Sequence, residues 1–167
     1  MARRQIAAAM RHRSATSSAT RCTMPHMQSL TLDSTTRDAV AAAVHGDGWT
    51  VACLCAAWCG TCATYRATFD ELALRHPDKQ FVWIDIEDQA DLVGDLDVDN
   101  FPTLLLQRGD TVAFFGTMVP DGGVADRLIQ AQAEQGDDEL ARLAQSSAER
   151  RDWQEECNLR VLLGAPD

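Results

Sequence analysis

Apolar and polar positions alternate along this chain in a way that predicts a run of strands and helices. Residues 28–32 alternate like a short strand, and Asp33 or Ser34 is placed to cap a helix running to Val44, stopped by Gly46 and Gly48. Residues 50–57 are almost unbroken apolar, the mark of a strand buried on both faces. Tyr65, Phe69 and Leu72 then recur at helical spacing, predicting a helix to about Arg75 with a turn at residues 76–78. A second apolar strand follows at residues 80–86, then a short helix over about 88–96. Pro102 opens a third apolar run at Thr103, Leu104, Leu105 and Leu106. Arg108-Gly109-Asp110 reads as a hairpin turn, with residues 111–115 as the return strand. Val124, Leu128 and Ile129 have helical spacing and predict a helix covering the sheet. Beyond about Gly136 the chain is acidic and helix-prone. Leu140, Leu143 and Ala144 make a narrow apolar stripe there, followed by Trp153 and by Leu159, Val161, Leu162 and Leu163. That region reads either as a helix folded back on the domain or as a partner-binding helix. The alternation of strands and helices predicts an α/β fold.

The candidate chemistry lies at one strand-to-helix junction, Trp58-Cys59-Gly60-Thr61-Cys62. Two cysteines separated by two residues at a helix N-terminus can open and close a disulfide over one turn. The first thiol meets unpaired N–H groups and the positive end of the helix dipole, which favour the thiolate, the attacking form. A bare pair of this kind is also half of a zinc site. No second pair follows, however, and His12, His26, His45 and His76 are scattered. Cys53 and Cys55 join Cys59 and Cys62 as a possible four-sulfur zinc or iron–sulfur site. Against this, strand alternation puts Cys53 and Cys55 on one buried face, where free cysteine behaves as a small hydrophobe. Asp95, Asp97 and Asp99 lack the glycine and terminal glutamate of a calcium loop.

Ala57-Trp58-Cys59-Gly60-Thr61-Cys62 combined with Phe101-Pro102-Thr103 resembles the thioredoxin family. Residues 81–87 resemble that family's central strand, and Gly109 and Gly116 its hairpin turn and later glycine. The resemblance covers roughly residues 28–133. It implies a thioredoxin-like fold, a central mixed β-sheet flanked by helices on both faces, with an extra C-terminal helical extension. With the composition of the flanks it gives three parts: residues 1–26 as a disordered or leader segment, 27–133 as the thioredoxin-like domain, and 134–167 as an acidic helical extension.

The same resemblance implies Cys59 as the exposed nucleophile, Cys62 as the resolving thiol, and Pro102 as a cis-proline packed against the disulfide. Trp58, Gly60, Thr61, Phe101 and Pro102 would form the substrate-binding surface, the backbone at Phe101 pairing with an extended substrate segment. The implied activity is reduction or exchange of protein disulfides, contributing to redox homeostasis. It needs no bound cofactor and no metal, only a reductase or small thiol to recharge the pair. Three positions depart from the family. Thr61 stands where a proline is usual. Cys53 stands where a buried aspartate commonly helps the resolving thiol lose its proton. Trp83 replaces a common lysine near that aspartate, so an apolar floor is expected beneath the site. An interaction module that keeps the motif without turnover is a further alternative.

Composition narrows the setting. The chain has 167 residues, enough for one domain with a core plus extensions. Its net charge of −10 argues against a general nucleic-acid binder. No apolar run approaches the roughly 20 residues that span a bilayer. Six cysteines are too few for a disulfide scaffold at this length, and unpaired thiols suit a reducing compartment. Residues 1–27 hold Arg3, Arg4, Arg11, Arg13 and Arg21 and no acid. They read as a disordered tail or an upstream start before Met24 or Met27, with an organelle or export leader as the alternative. The expected location is cytoplasmic.

Overall fold

The computed structural model describes residues 29–93, 96 and 98–165. The readings of the arginine-rich leader, Cys22, Asp95 and Asp97 fall outside the described residues. Five strands form one sheet: β1 (Leu30–Thr31), β2 (Trp49–Cys55), β3 (Lys79–Asp85), β4 (Thr103–Arg108) and β5 (Thr111–Thr117), in the order β1-β3-β2-β4-β5. β1, β3 and β2 are parallel; β4 pairs antiparallel with β2, and β5 pairs antiparallel with β4. The helices are α1 (Arg37–Val44), α2 (Gly60–Arg75), α3 (Ala90–Val93), α4 (Gly122–Ala133), α5 (Asp137–Ala144), α6 (Ala148–Glu156) and α7 (Leu159–Leu163).

The unbroken apolar run of β2 is explained by its place at the centre, where both faces are covered. Val51, Cys53 and Cys55 point to one face, with Phe81, Trp83, Leu104 and Leu106 from its neighbours; Tyr65 and Phe69 of α2 and Ile129 of α4 pack there. Ala52 and Leu54 point to the other, with Val82, Ile84 and Leu105, against Val40 and Val44 of α1 and Leu159 of α7. The two-residue period of the strands thus separates two cores, and the motif cysteines belong to the first.

Three expectations are adjusted. The first helix begins at Arg37, because Asp33 Oδ1 accepts from the N–H groups of Thr35 (2.7 Å) and Thr36 (3.0 Å) and holds the chain in a turn before it. The short helix after β3 begins at Ala90, and its described part is Ala90–Val93. The extension is three short helices instead of one stripe. Leu140 joins the first core, and Cys157, Leu159 and Leu163 join the second, so this segment rounds the β5 edge and folds back on both faces.

Polar side chains hold that wrap in place. Gln154 of α6 accepts from Val112 N–H (2.8 Å) and donates to Val112 C=O (2.9 Å), closing the exposed edge of β5 as another strand would. Buried Gln107 donates to Asn158 (2.7 Å) and accepts from the Leu159 N–H (2.8 Å). The Arg160 guanidinium donates to the carbonyls of Val44 (2.9 Å) and Gly46 (2.8 Å), capping the C-terminal end of α1 with positive charge. Gly109, at φ +57°, makes the β4–β5 hairpin, as the Arg-Gly-Asp turn predicts. Among the described residues no helix is long and apolar enough to cross a membrane.

Candidate redox site at the start of the second helix

The chain leaves β2 at Cys55 and enters α2 at Gly60, so the motif forms the strand-to-helix turn. Cys59 is the N-cap residue in extended backbone conformation (φ −79°, ψ 106°), and its Sγ accepts from the Cys62 N–H at 3.4 Å. Serine or aspartate commonly fills such a position; here sulfur does, and N–H groups left unpaired by helix geometry point at it. The Cys62 N–H, helped by the Cys62 thiol and by Thr61, holds the Cys59 thiol below its ordinary pKa. Cys62 sits one turn inside and is only 2 % exposed. Burial, with contacts from Cys55 and Cys59, pushes its thiol well up. One thiol, half-buried at the helix start, is therefore shifted toward the thiolate, and the other is held toward the thiol form beneath it.

Trp58 stands 68 % exposed beside Cys59; its indole donates to Glu87 (2.9 Å), and its ring meets Phe101 edge-on at 5.7 Å. The Phe101–Pro102 peptide is cis. Pro102 is buried, and its carbonyl accepts from the Met118 N–H at 2.9 Å, tying the turn to the end of β5. Thr103 donates to the Asn100 carbonyl at 2.8 Å and steadies the same turn. Gly60 and Thr61 are exposed, and a Cβ built on Gly60 would meet nothing within 4 Å, so space does not demand glycine there. Trp58, Cys59, Phe101 and Pro102, distant in sequence, are thus drawn to one end of the sheet.

Under the site lie sulfur and aromatic rings. Cys53 Sγ is 3.7 Å from Cys55 Sγ, both fully buried, and Cys53 pairs in register with Trp83. The Cys53 contact, followed by burial, keeps the Cys55 thiol protonated well beyond its ordinary range. The four sulfurs are not arranged as a metal-holding group, and no cluster of three or more candidate ligands occurs among the described residues. The floor is not apolar throughout. Arg66 lies over the Trp83 ring at 4.8 Å and donates to Thr31 Oγ1 at 3.1 Å. A cavity of about 350 Å³ reaches Cys62 from that side, lined by Thr31, Cys55, Cys62, Arg66, Trp83 and Asp85.

Sequence reading missed Glu87, Arg66 and Asp85. Their only signal was charge at the end of an apolar strand or on a helix, and which charges meet the motif depends on which strands pair.

The thioredoxin family model matches residues 31–128, more than half of the chain and all of the elements around the site. The chain belongs to the thioredoxin family. Its structure is similar to that of the thioredoxin f2 complex with ferredoxin:thioredoxin reductase, at 22 % identity and a TM-score of 0.55 over 64 % of this chain and 96 % of that one. At that identity the likeness is one of fold. Putative thioredoxin 2 of Streptomyces coelicolor is 28 % identical over 96 residues, covering 56 % of this chain and 71 % of that protein. Thioredoxin domain-containing protein 2 of Mus musculus is 36 % identical over 55 residues, a match to 33 % of this chain but only 11 % of the mouse protein. Thiol–disulfide oxidoreductase chemistry is the class of activity that membership in the thioredoxin family supports.

Proposed function

We propose that this thioredoxin-family protein reduces or exchanges disulfides in other proteins, with Cys59 as nucleophile and Cys62 as resolving thiol. The observation that carries the reading is the Cys59 sulfur at the N-cap of α2, accepting the Cys62 N–H while Cys62 lies buried one turn below. The Cys59 thiolate attacks a substrate disulfide, forming a mixed disulfide and releasing one substrate thiolate. The Cys62 sulfur then attacks Cys59 Sγ, the second substrate thiolate leaves, and the pair ends oxidised while the substrate has gained two electrons. Trp58, Gly60, Thr61, Phe101 and Pro102 form the docking surface, with an extended substrate segment laid along the backbone at Phe101. No bound cofactor enters the cycle.

Recharging requires a reductase or a small thiol. Structural neighbours support that class of partner: thioredoxin f2 was solved with a reductase, and another neighbour belongs to work on a yeast mitochondrial 1-Cys peroxiredoxin. The unpaired thiols Cys53, Cys55 and Cys157 suit a reducing compartment, so a cytoplasmic role in redox homeostasis completes the proposal. Replacing Cys62 with Ser removes the resolving step. That variant is expected to accumulate proteins disulfide-linked to Cys59 that a reductant releases; their absence, while Cys59 remains alkylatable, would refute the reading in favour of a module without turnover.

A further inference from the structure

Resolution demands that Cys62 lose a proton, and Cys62 is a buried thiol whose environment favours the protonated form. The strand register shows where that proton can go. β2 and β3 are parallel, with Cys53 opposite Trp83 and Cys55 opposite Asp85. Paired positions on neighbouring strands project to the same face, so Asp85 lies on the face that carries Cys55 and Cys62. Cys62, Cys55 and Asp85 line one cavity of about 350 Å³. That is room for several waters at roughly 30 Å³ each.

We propose that Asp85 is the proton acceptor for Cys62, working through water in this cavity. The inference rests on the oxidoreductase reading above and adds the group that completes its second step. As Cys62 Sγ bonds to Cys59 Sγ, the bond from Cys59 Sγ to the substrate sulfur breaks, and that sulfur leaves with the electron pair. The Cys62 proton passes through water to the Asp85 carboxylate and from there to solvent.

The neighbouring groups leave this role to Asp85. From β2, Cys55 is held protonated by Cys53 and by burial, so it cannot take the proton. From α2, Arg66 brings a cation that is always charged, fixed by Thr31 Oγ1 at 3.1 Å, by Asp70 at 3.4 Å and by the Trp83 ring. It sets a fixed positive charge in the cavity that Asp85 also lines. Asp70 is paired with this arginine, and Cys53 and Trp83 bring no carboxylate. On the carboxylate's own segment, Glu87 donates its N–H to Asp85 Oδ1 at 3.0 Å and sends its side chain to Trp58. Asp85 is half-buried, so it can return the proton to bulk water.

The test is single-turnover reaction of the full chain with the chromogenic disulfide dithio-bis-nitrobenzoate. The first coloured thiolate reports attack by Cys59. The second reports resolution by Cys62 and is identified as the phase lost in Cys62→Ser. Asp85→Asn is expected to leave the first release unchanged and to slow the second by at least about tenfold at neutral pH. The gap should close toward alkaline pH, where hydroxide takes the proton, and Asp85→Glu should restore most of the rate. A second release that is unchanged, or slowed equally at every pH with Glu no better than Asn, overturns the role of Asp85. Absence of the first release from the unsubstituted chain would instead overturn the oxidoreductase reading itself.

Discussion

The two ends of the central sheet treat buried polar atoms in opposite ways. At the β4–β5 hairpin end, Gln107, Asn158 and Gln154 are tied by short hydrogen bonds to one another or to backbone, and the C-terminal helices are locked across both faces. At the motif end, Cys53 meets Cys55 at 3.7 Å, Cys55 in turn meets the Cys62 thiol, and the hydroxyl of buried Tyr65 has no hydrogen-bond partner among the described residues. Saturated hydrogen bonding makes a rigid clamp. Hydrogen bonding around sulfur is sparse and weak, and the difference separates the end that holds from the end proposed to react.

That contrast breaks most sharply at Cys59. Cys59→Ser should reduce disulfide turnover to background while leaving the melting temperature nearly unchanged, because Cys59 is at the surface and serine caps a helix well. In the unsubstituted chain, alkylation at neutral pH should label Cys59 before Cys62 or Cys55. Its rate should persist as pH falls below the ordinary thiol range, since the Cys62 N–H lowers the Cys59 pKa. Mass-spectrometric mapping of the label checks this, and faster labelling of Cys62 or Cys55 would reverse the roles.

A charge placed in the sulfur floor should sharpen the comparison. Cys53→Asp brings a carboxylate beneath the site, where it should speed release of the mixed disulfide severalfold near neutral pH. It should also destabilise the fold by about 1–3 kcal/mol, read by urea unfolding, because the carboxylate is buried without a partner. Cys53→Ala should leave turnover nearly unchanged. Turnover lost in Cys53→Ala with the fold intact would make Cys53 a third redox thiol.

At the clamped end the signs reverse. Asn158→Ala removes one acceptor of the buried Gln107 amide and the side-chain cap of α7, and should destabilise by about 2 kcal/mol, with the thiol chemistry untouched. Loss of activity at full stability would show that the two ends are coupled.

The smallest effect is expected at Asp126, whose carboxylate is held below its ordinary pKa chiefly by a 2.6 Å hydrogen bond with His76. A depressed folded pKa gives a contribution that is present above the ordinary carboxylate range and lost as pH falls through the folded value. Asp126→Asn should therefore lower the unfolding midpoint at neutral pH, by less than about 1 kcal/mol, and not at acid pH.

Much of this architecture is legible from local pattern. The unbroken β2 run, the helical spacing of Tyr65, Phe69 and Leu72, and the Gly109 turn each depend on neighbours within a few residues, and each element appears where its pattern puts it. The cysteine pair at a helix start was equally readable, since capping is local chemistry. The C-terminal region was read less well. Its apolar residues are split among three short helices that pack on different cores, so no one periodic stripe describes them.

The sequence by itself determined the α/β pattern, the two buried faces of the central strand and the place of the candidate redox turn at a helix start, because periodicity and helix-end chemistry act over one or two turns of chain. Only the tertiary structure decided that Asp85 stands opposite Cys55, that Glu87 takes the Trp58 indole, that Arg66 covers Trp83, and that Asn158 reaches Gln107 from 51 residues away. Those meetings depend on strand order and register. Both are set by how the two cores fill once the whole chain has collapsed, and neither is written in any short window of residues.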